Sequence, residues 1–309
     1  MKLPRILSGV FFFFAISAGA LAAQAADKLH IVATLPDLKS IADALGGDRV
    51  ETFAIATGYQ NPHFVDPKPS YILKLSKADI FITVGLDLET GWVPPLLNSA
   101  RNSRIMMGGE GYIDASLNVP LLQVPSSINR AEGDIHIYGN PHYWLDPENG
   151  LRIARGIQRK LAEMRPADAA YFEQRYQSFS QRLQQENKKW DELEKLFRGR
   201  KVVTYHRSWP NFTKRFGLDV VGYVEPRPGI PPSPAHTVDL IQMMKRENVK
   251  VILVEPYFDL KTPNAVARET GAQVVVLLPS VGGEKEVTDY FKLFDYDVGL
   301  LVQAFRAAR

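Results

Sequence analysis

Short apolar runs alternate with amphipathic segments along most of this chain. Seven runs rich in Val, Ile or Phe lack helical spacing, which predicts buried strands. They are His30–Thr34, Thr52–Ala56, Ile80–Val84, Lys201–Tyr205, Val220–Val224, Val249–Val254 and Val274–Leu278. Helical spacing between many of them predicts helices at about 37–46, 70–77, 149–164, 236–247, 262–270 and 287–307. This alternation predicts an α/β fold with parallel sheets that helices cover on both faces.

The segment 166–198 departs from this alternation, because its apolar residues recur at intervals of three, four and seven. That spacing predicts one long amphipathic helix with Pro166 in its first turn and Gly199 at its end. We expect this rigid helix to join two Rossmann-like lobes, residues 27–165 and residues 200–309. The segment 108–140 is rich in Gly, Ser, Asn and Pro, which predicts a long loop of functional or mobile character.

Residues 1–26 have the pattern of a secretory signal peptide. Lys2 and Arg5 precede an apolar run that ends in small residues, and Ala23-Gln24-Ala25 fits a cleavage site. The run is too short to span a membrane comfortably, and the chain has no cysteine that could carry a lipid anchor. We therefore expect the mature protein to be exported, soluble and periplasmic.

Composition excludes several classes of protein. Without the predicted signal peptide the chain has 35 basic and 34 acidic residues, which gives no support to a nucleic-acid binder. The absence of cysteine excludes thiolate zinc sites, iron–sulfur clusters and cysteine nucleophiles. A transition metal would therefore have to be bound by imidazole and carboxylate groups.

A short motif occurs twice. Residues 61–67 read NPHFVDP and residues 140–147 read NPHYWLDP. The prolines stiffen each turn, so His63 and His142 each project from a rigid loop. The aspartate that follows could cap the next helix or accept a hydrogen bond from a histidine ring. Two copies indicate a shared role rather than two unrelated surface turns.

Two further polar residues directly follow predicted buried strands. His206 follows the run that ends at Tyr205, and Glu255 follows the run that ends at Val254. In open α/β sheets, bound molecules lie at the carboxyl ends of the strands. We therefore interpret His206 as a metal ligand. Glu255 fits the role of a metal ligand and that of a helix cap equally well. Three imidazole nitrogens and one oxygen donor are a typical set of four ligands for tetrahedral zinc. The remaining histidines lack such a position; they are His30, His136 and His236. His136, in the 108–140 loop, could still contact a metal weakly, but this loop has no run of histidines that would recruit metal.

The sequence resembles the solute-binding proteins of bacterial zinc/manganese ABC importers (cluster A-I), and within them the zinc-uptake branch. The resemblance covers essentially the whole mature chain. Besides the two NPH motifs, the segments that carry it are Gly85–Glu89 ahead of Trp92, Tyr205-His206 ahead of Phe212, and Pro228–Ile230 with Ser233-Pro234.

The resemblance implies two α/β lobes joined by one long helix, with the metal in the cleft between them. It also implies that His63 and His142 of the first lobe and His206 of the second bind the metal. A histidine at the third position is typical of the zinc branch, since manganese-type members tend to place a carboxylate there. This chain departs from the pattern after Leu278, where many relatives have an acid but this chain has none before Glu284. The fourth donor is then Glu255, Glu284 or water, and we expect Glu255.

The expected function is capture of a divalent transition metal, zinc in the first place and manganese as the alternative, and its delivery to an ABC permease. The protein would be a monomer without enzymatic activity or organic cofactor, and a metallochaperone could dock on the 108–140 loop. Its affinity should fall as the pH drops through about 6.5, where histidine becomes protonated. Two alternatives are a zinc hydrolase, although the chain has no H-E-x-x-H motif, and a binder of a bulkier ligand such as a metal chelate or vitamin.

Overall fold

The computed structural model describes residues 27–126 and 136–307, so the predicted signal peptide lies outside the described residues. Its strands form two separate four-stranded parallel sheets with equivalent orders, β2-β1-β3-β4 and β6-β5-β7-β8. The first sheet consists of β1 (Leu29–Ala33), β2 (Val50–Ala54), β3 (Ile80–Thr83) and β4 (Tyr112–Asp114). The second consists of β5 (Lys201–Thr204), β6 (Asp219–Tyr223), β7 (Val251–Val254) and β8 (Gln273–Val276). Alternation of short apolar runs with helices therefore produces parallel sheets, as expected.

Helices flank both sheets. They are α1 (Pro36–Gly46), α2 (Pro69–Ser76), α3 (Val93–Ala100), α4 (Pro147–Met164), α5 (Ala169–Glu194), α6 (Pro210–Arg215), α7 (Pro234–Arg246), α8 (Lys261–Thr270) and α9 (Tyr290–Ala307). The sequence analysis missed α3 and α6. Both are short and begin at or beside proline, so neither contains enough turns to reveal a helical period.

The prediction of an uninterrupted loop over 108–140 is wrong in its first part. Tyr112–Asp114 forms β4, which pairs with β3 at the edge of the first sheet, and a 3₁₀ turn follows at Ala115–Asn118. A three-residue strand is too short for alternation to identify it, and it is specified by its neighbour in the sheet instead. Residues 121–126 and 136–140 contain no helix or strand.

Helix α5 is shorter than predicted at both ends: Pro166 lies in a 3₁₀ turn at Pro166–Asp168 that precedes the helix, and the helix ends at Glu194 rather than at Gly199. It packs against α1 and α4 on one side and against α9 on the other. Aromatic pairs fix the second contact, with ring centroids 4.9 Å apart for Phe179 and Phe291 and 5.2 Å apart for Trp190 and Phe294. The long helix is therefore part of the hydrophobic core as well as a connection between the lobes.

The larger cluster of buried apolar side chains extends through both lobes, from Ile31 in β1 to Val251 in β7 and Phe305 in α9. A smaller cluster lies between the second sheet and the helices α7 and α8. The loops that follow β2 and β5 meet where the lobes join, at the carboxyl ends of the strands. Among the helices in the described part of the chain, none is both long and apolar enough to cross a membrane.

Candidate metal centre

His63 lies in the loop between β2 and α2, on the first of the two NPH turns. The backbone N–H of His63 donates to Asn61 Oδ1 at 3.0 Å, which closes a local turn. The indole of the buried Trp92 donates to the carbonyl oxygen of Pro62 at 3.0 Å. These two bonds hold the backbone at His63, whose side chain remains partly exposed.

His142 lies on the second NPH turn, directly before a 3₁₀ turn at Tyr143–Leu145. Asn140 Oδ1 accepts the backbone N–H of His142 at 3.0 Å and lies 3.2 Å from its ring Nδ1. Because an amide oxygen can only accept, Nδ1 of this ring must carry the proton, which leaves the Nε2 lone pair for a metal. The His142 side chain is buried, and its ring centroid is 5.4 Å from that of Trp144.

His206 lies two residues beyond β5 in the second lobe. Its ring Nδ1 is 2.5 Å from Glu225 Oε2, and Glu225 lies two residues beyond the neighbouring strand β6. The other carboxylate oxygen of Glu225 accepts the backbone N–H of Gly229 at 2.9 Å. A carboxylate on Nδ1 orients the imidazole and makes it a more basic donor through Nε2.

The three histidines converge although they are far apart in sequence. One ring nitrogen of each lies within 4.8 Å of a ring nitrogen of the other two, and Nε2 of His63 is 3.3 Å from Nε2 of His142. Burial, together with the neighbouring imidazoles, holds the pKa of His63 and of His142 well below the ordinary value of 6.5. Both rings are therefore neutral at pH 7, which is the state in which imidazole binds a metal.

Among the other histidines, His136 lies nearest to the cluster. Its ring centroid is 5.0 Å from that of His63, but the residue is not part of the three-histidine group. The weak metal contact that the sequence analysis considered for His136 stays a prediction. His236 lies at the start of α7, where its Nε2 is 2.9 Å from the carbonyl oxygen of Tyr223, and His30 is exposed on β1.

Glu255 follows β7, as the sequence analysis expected, and its side chain is fully buried. Its carboxylate is not part of the three-histidine group. Burial raises the pKa of Glu255, and the nearby His206 partly offsets this rise. It does not cap α8, which begins only at Lys261. Glu284, the other acid considered, is exposed.

The sequence analysis missed the residues that hold the histidine rings, namely Asn140 and Glu225. A signal was present for each, since Asn140 opens the second NPH motif and Glu225 directly follows a predicted strand. The two motif aspartates behave differently from each other. Asp146 caps α4 by accepting the N–H of Glu148 at 2.9 Å, whereas Asp66 is exposed and α2 has no side-chain cap.

A protein-family comparison matches the model described as zinc-uptake complex component A, periplasmic, over residues 31–304. The chain belongs to this family. Its members are the substrate-binding components of metal ABC importers and not enzymes, so the family prediction is confirmed and the hydrolase alternative is set aside.

Curated relatives match over nearly the whole chain. One is the manganese ABC transporter substrate-binding lipoprotein PsaA of Streptococcus anginosus, 23% identical over 302 residues that cover 95% of this chain and 94% of the relative. Another is the metal ABC transporter substrate-binding lipoprotein FimA of Streptococcus parasanguinis, 24% identical over 97% of this chain and 99% of the relative. Both are lipoproteins, whereas this chain has no cysteine.

Solved structures confirm the predicted two-lobed fold. A crystal structure of ZnuA is 25% identical, with a TM-score of 0.77, over 90% of this chain and 100% of that chain. A zinc-bound deletion mutant of ZnuA is 26% identical, with a TM-score of 0.76, over 90% and 98% of the two chains. The protein FpvC of Pseudomonas aeruginosa in complex with Mn²⁺ has the same fold, with a TM-score of 0.74 and 23% identity over 92% and 100% of the two chains.

Proposed function

We propose that this protein captures zinc between its two lobes, with His63, His142 and His206 as ligands, and delivers it to an ABC permease. The observation that carries the proposal is the convergence of three buried or partly buried imidazoles within 4.8 Å of one another. Because the imidazoles come from both lobes, a bound ion would connect the two lobes.

The donor set favours zinc over manganese. Imidazole nitrogens suit zinc, whereas manganese prefers carboxylate, carbonyl and water oxygens. The three-membered group contains no carboxylate. Relatives of this chain are named for manganese as well as for zinc, so the choice rests on the donor set.

Glu255 is our proposed fourth donor. Its carboxylate is fully buried one residue beyond β7, the neighbour of β5, and its oxygens lack a hydrogen-bond partner of ordinary geometry among the described residues, although the Ser208 side chain lowers the carboxyl pKa. A buried carboxylate without partners is expensive, and coordination of a cation would relieve that cost. Replacing Glu255 with Gln should therefore weaken zinc binding; unchanged affinity would leave Glu284 or water as the fourth donor.

The proposed location is the periplasm, and the proposed partner is the permease of the inner membrane, on which the protein would dock as a monomer. The family description and the predicted signal peptide support this placement. A metallochaperone is proposed as a further docking partner.

Calorimetric titration of chelator-treated protein tests the proposal. We expect one zinc ion per chain and weaker binding of manganese; tighter binding of manganese would assign the protein to that metal instead. Because the pKa of His63 and of His142 is lowered, protons should compete with zinc only below about pH 6.5. Affinity should thus change little between about pH 7.5 and 6.5 and fall below that; a steep loss already above pH 7 would contradict ligation by these rings.

A further inference from the structure

The turn that carries His142 is hydrogen-bonded to the second lobe on both sides of the histidine. Two residues before it, Asn140 Nδ2 donates to the carbonyl oxygen of Arg207 at 2.7 Å. Two residues after it, the indole of Trp144 donates to the carbonyl oxygen of Pro279 at 2.8 Å. Both donors are buried, so these bonds are shielded from competition with water.

Both acceptor segments are held in place by bonds of their own. Arg207 directly follows His206, whose carbonyl oxygen accepts the hydroxyl of Thr204 at 2.8 Å. Beside Pro279, the hydroxyl of Ser280 donates to the carboxylate of Asp37, and the N–H of Val281 donates to the same carboxylate at 3.1 Å.

Asp37 lies fully buried in α1 of the first lobe, so the segment after Leu278 is bonded back to that lobe as well. This is the segment in which the family pattern would place an acid. Here it fixes the two lobes to each other through a serine.

The first NPH turn provides the contrast. In it, too, the histidine N–H donates to the asparagine side chain, and a buried indole donates to a proline carbonyl, from Trp92 to Pro62 at 3.0 Å. The hydrogen bonds that hold this turn stay within the first lobe in the described part of the chain. His142 is thus held relative to His206, whereas His63 is held relative to its own lobe.

We infer that Asn140 and Trp144 are positioning residues that hold His142 in register with His206 before a metal arrives. The inference rests on the proposed function. Pre-organisation of two ligands from different lobes reduces the ordering that binding would otherwise require, which raises affinity. Loss of either bond should therefore weaken zinc binding although neither side chain contacts the ion.

Two indole-to-phenyl substitutions form a matched pair for the test. Trp144→Phe and Trp92→Phe each remove one buried indole N–H that donates to a proline carbonyl, but only the first bond crosses between the lobes. We expect Trp144→Phe to lower zinc affinity about tenfold, at the upper end for one neutral hydrogen bond, and Trp92→Phe to lower it less. Hydrogen exchange of the metal-free protein should accelerate at residues 280–282, next to the lost acceptor Pro279, in Trp144→Phe only.

Asn140→Asp provides a second test should Trp144→Phe fold poorly. The aspartate keeps an acceptor for the His142 ring but loses the donor to Arg207. Because the new carboxylate would also make the His142 ring a more basic donor, the readouts are faster hydrogen exchange at residues 206–208 of the metal-free protein and an altered visible spectrum of the Co²⁺-loaded protein, which reports the geometry of the ligands. Thr270→Val, which removes a buried hydroxyl bond within α8, serves as the control for general destabilisation and should change neither property.

The outcomes separate this inference from the proposed function. If the wild-type protein does not bind zinc, the proposed function fails. If it binds zinc, and Trp144→Phe and Asn140→Asp match it in affinity, exchange and Co²⁺ spectrum, the positioning role is overturned while zinc capture stands. Equal losses in Trp144→Phe and Trp92→Phe, without faster exchange in the second lobe, would also overturn it.

Discussion

The two NPH turns share one local hydrogen bond and have different surroundings. In both, the asparagine side chain accepts the histidine N–H at 3.0 Å. Around that shared turn, His142 is buried and fixed to both lobes, while His63 is partly exposed and fixed to one. The comparison teaches that a short motif specifies how a side chain leaves the backbone, and that its neighbours in the fold decide what the side chain can do there.

Removal of the histidines should have the largest effect. His142→Ala and His63→Ala should each lower zinc affinity more than about 100-fold, beyond the loss typical of an outer-shell partner. Only His142→Ala should also lower the free energy of unfolding of the metal-free protein, because only that ring is fully buried. Competition with a chelator and urea unfolding measure the two quantities. Equal stability of both variants would remove the contrast between the turns.

The buried acids behind the turns should give the next largest effect. Glu89 accepts the N–H groups of Val84 and Gly85 and supports Trp92 behind the first turn, as Asp37 supports the segment behind the second. Burial raises the pKa of both carboxyls to about 7. The folded protein therefore binds more protons than the unfolded chain between the ordinary carboxyl pKa and 7, and stability falls as the pH rises through that range.

For Glu89 alone this loss is about 3 kcal/mol over the whole range. Urea unfolding at several pH values should show a flatter pH dependence for Glu89→Gln than for the wild type, and likewise for Asp37→Asn. If either variant loses stability with rising pH as steeply as the wild type does, the carboxyl replaced in that variant does not cause the pH dependence of stability.

The motif aspartates should give the smallest effect. Asp146→Ala removes the cap of α4 and should lower the free energy of unfolding by about 1 kcal/mol. Asp66 is exposed and caps no helix, so Asp66→Ala should change the free energy of unfolding by less than about 0.5 kcal/mol. Thermal unfolding of both variants makes the comparison, and a comparable loss for Asp66→Ala would indicate that the two turns are more alike than their contacts suggest.

The sequence predicted those parts of the fold that local pattern determines. Buried parallel strands such as Val251–Val254 are continuous apolar runs, and the stripe of α5 has a clear helical period. The edge strand Tyr112–Asp114 carries no such pattern, because its pairing with β3 specifies it.

The candidate site, like the fold, has some features that local sequence pattern predicts and others that only the tertiary structure determines. The repeated motif and the position of His206 after a strand indicated three histidines, whose role as ligands stays a prediction. The contact of Glu225 with His206 depends on β5 and β6 being neighbours, and the bond from Asn140 to Arg207 depends on how the lobes meet. Both contacts join residues that are distant in the sequence, so no local sequence pattern predicts them.

The larger hydrophobic cluster, which extends from β1 through α5 to α9, has a consequence for how this protein can be divided or recombined. The sheets look like independent modules, but the apolar faces of α5 and α9 complete one interior that both sheets share. A cut after the first sheet would leave large aromatic side chains exposed on each fragment. Exchange of one lobe between relatives would require the matching faces of these two helices to be exchanged with it.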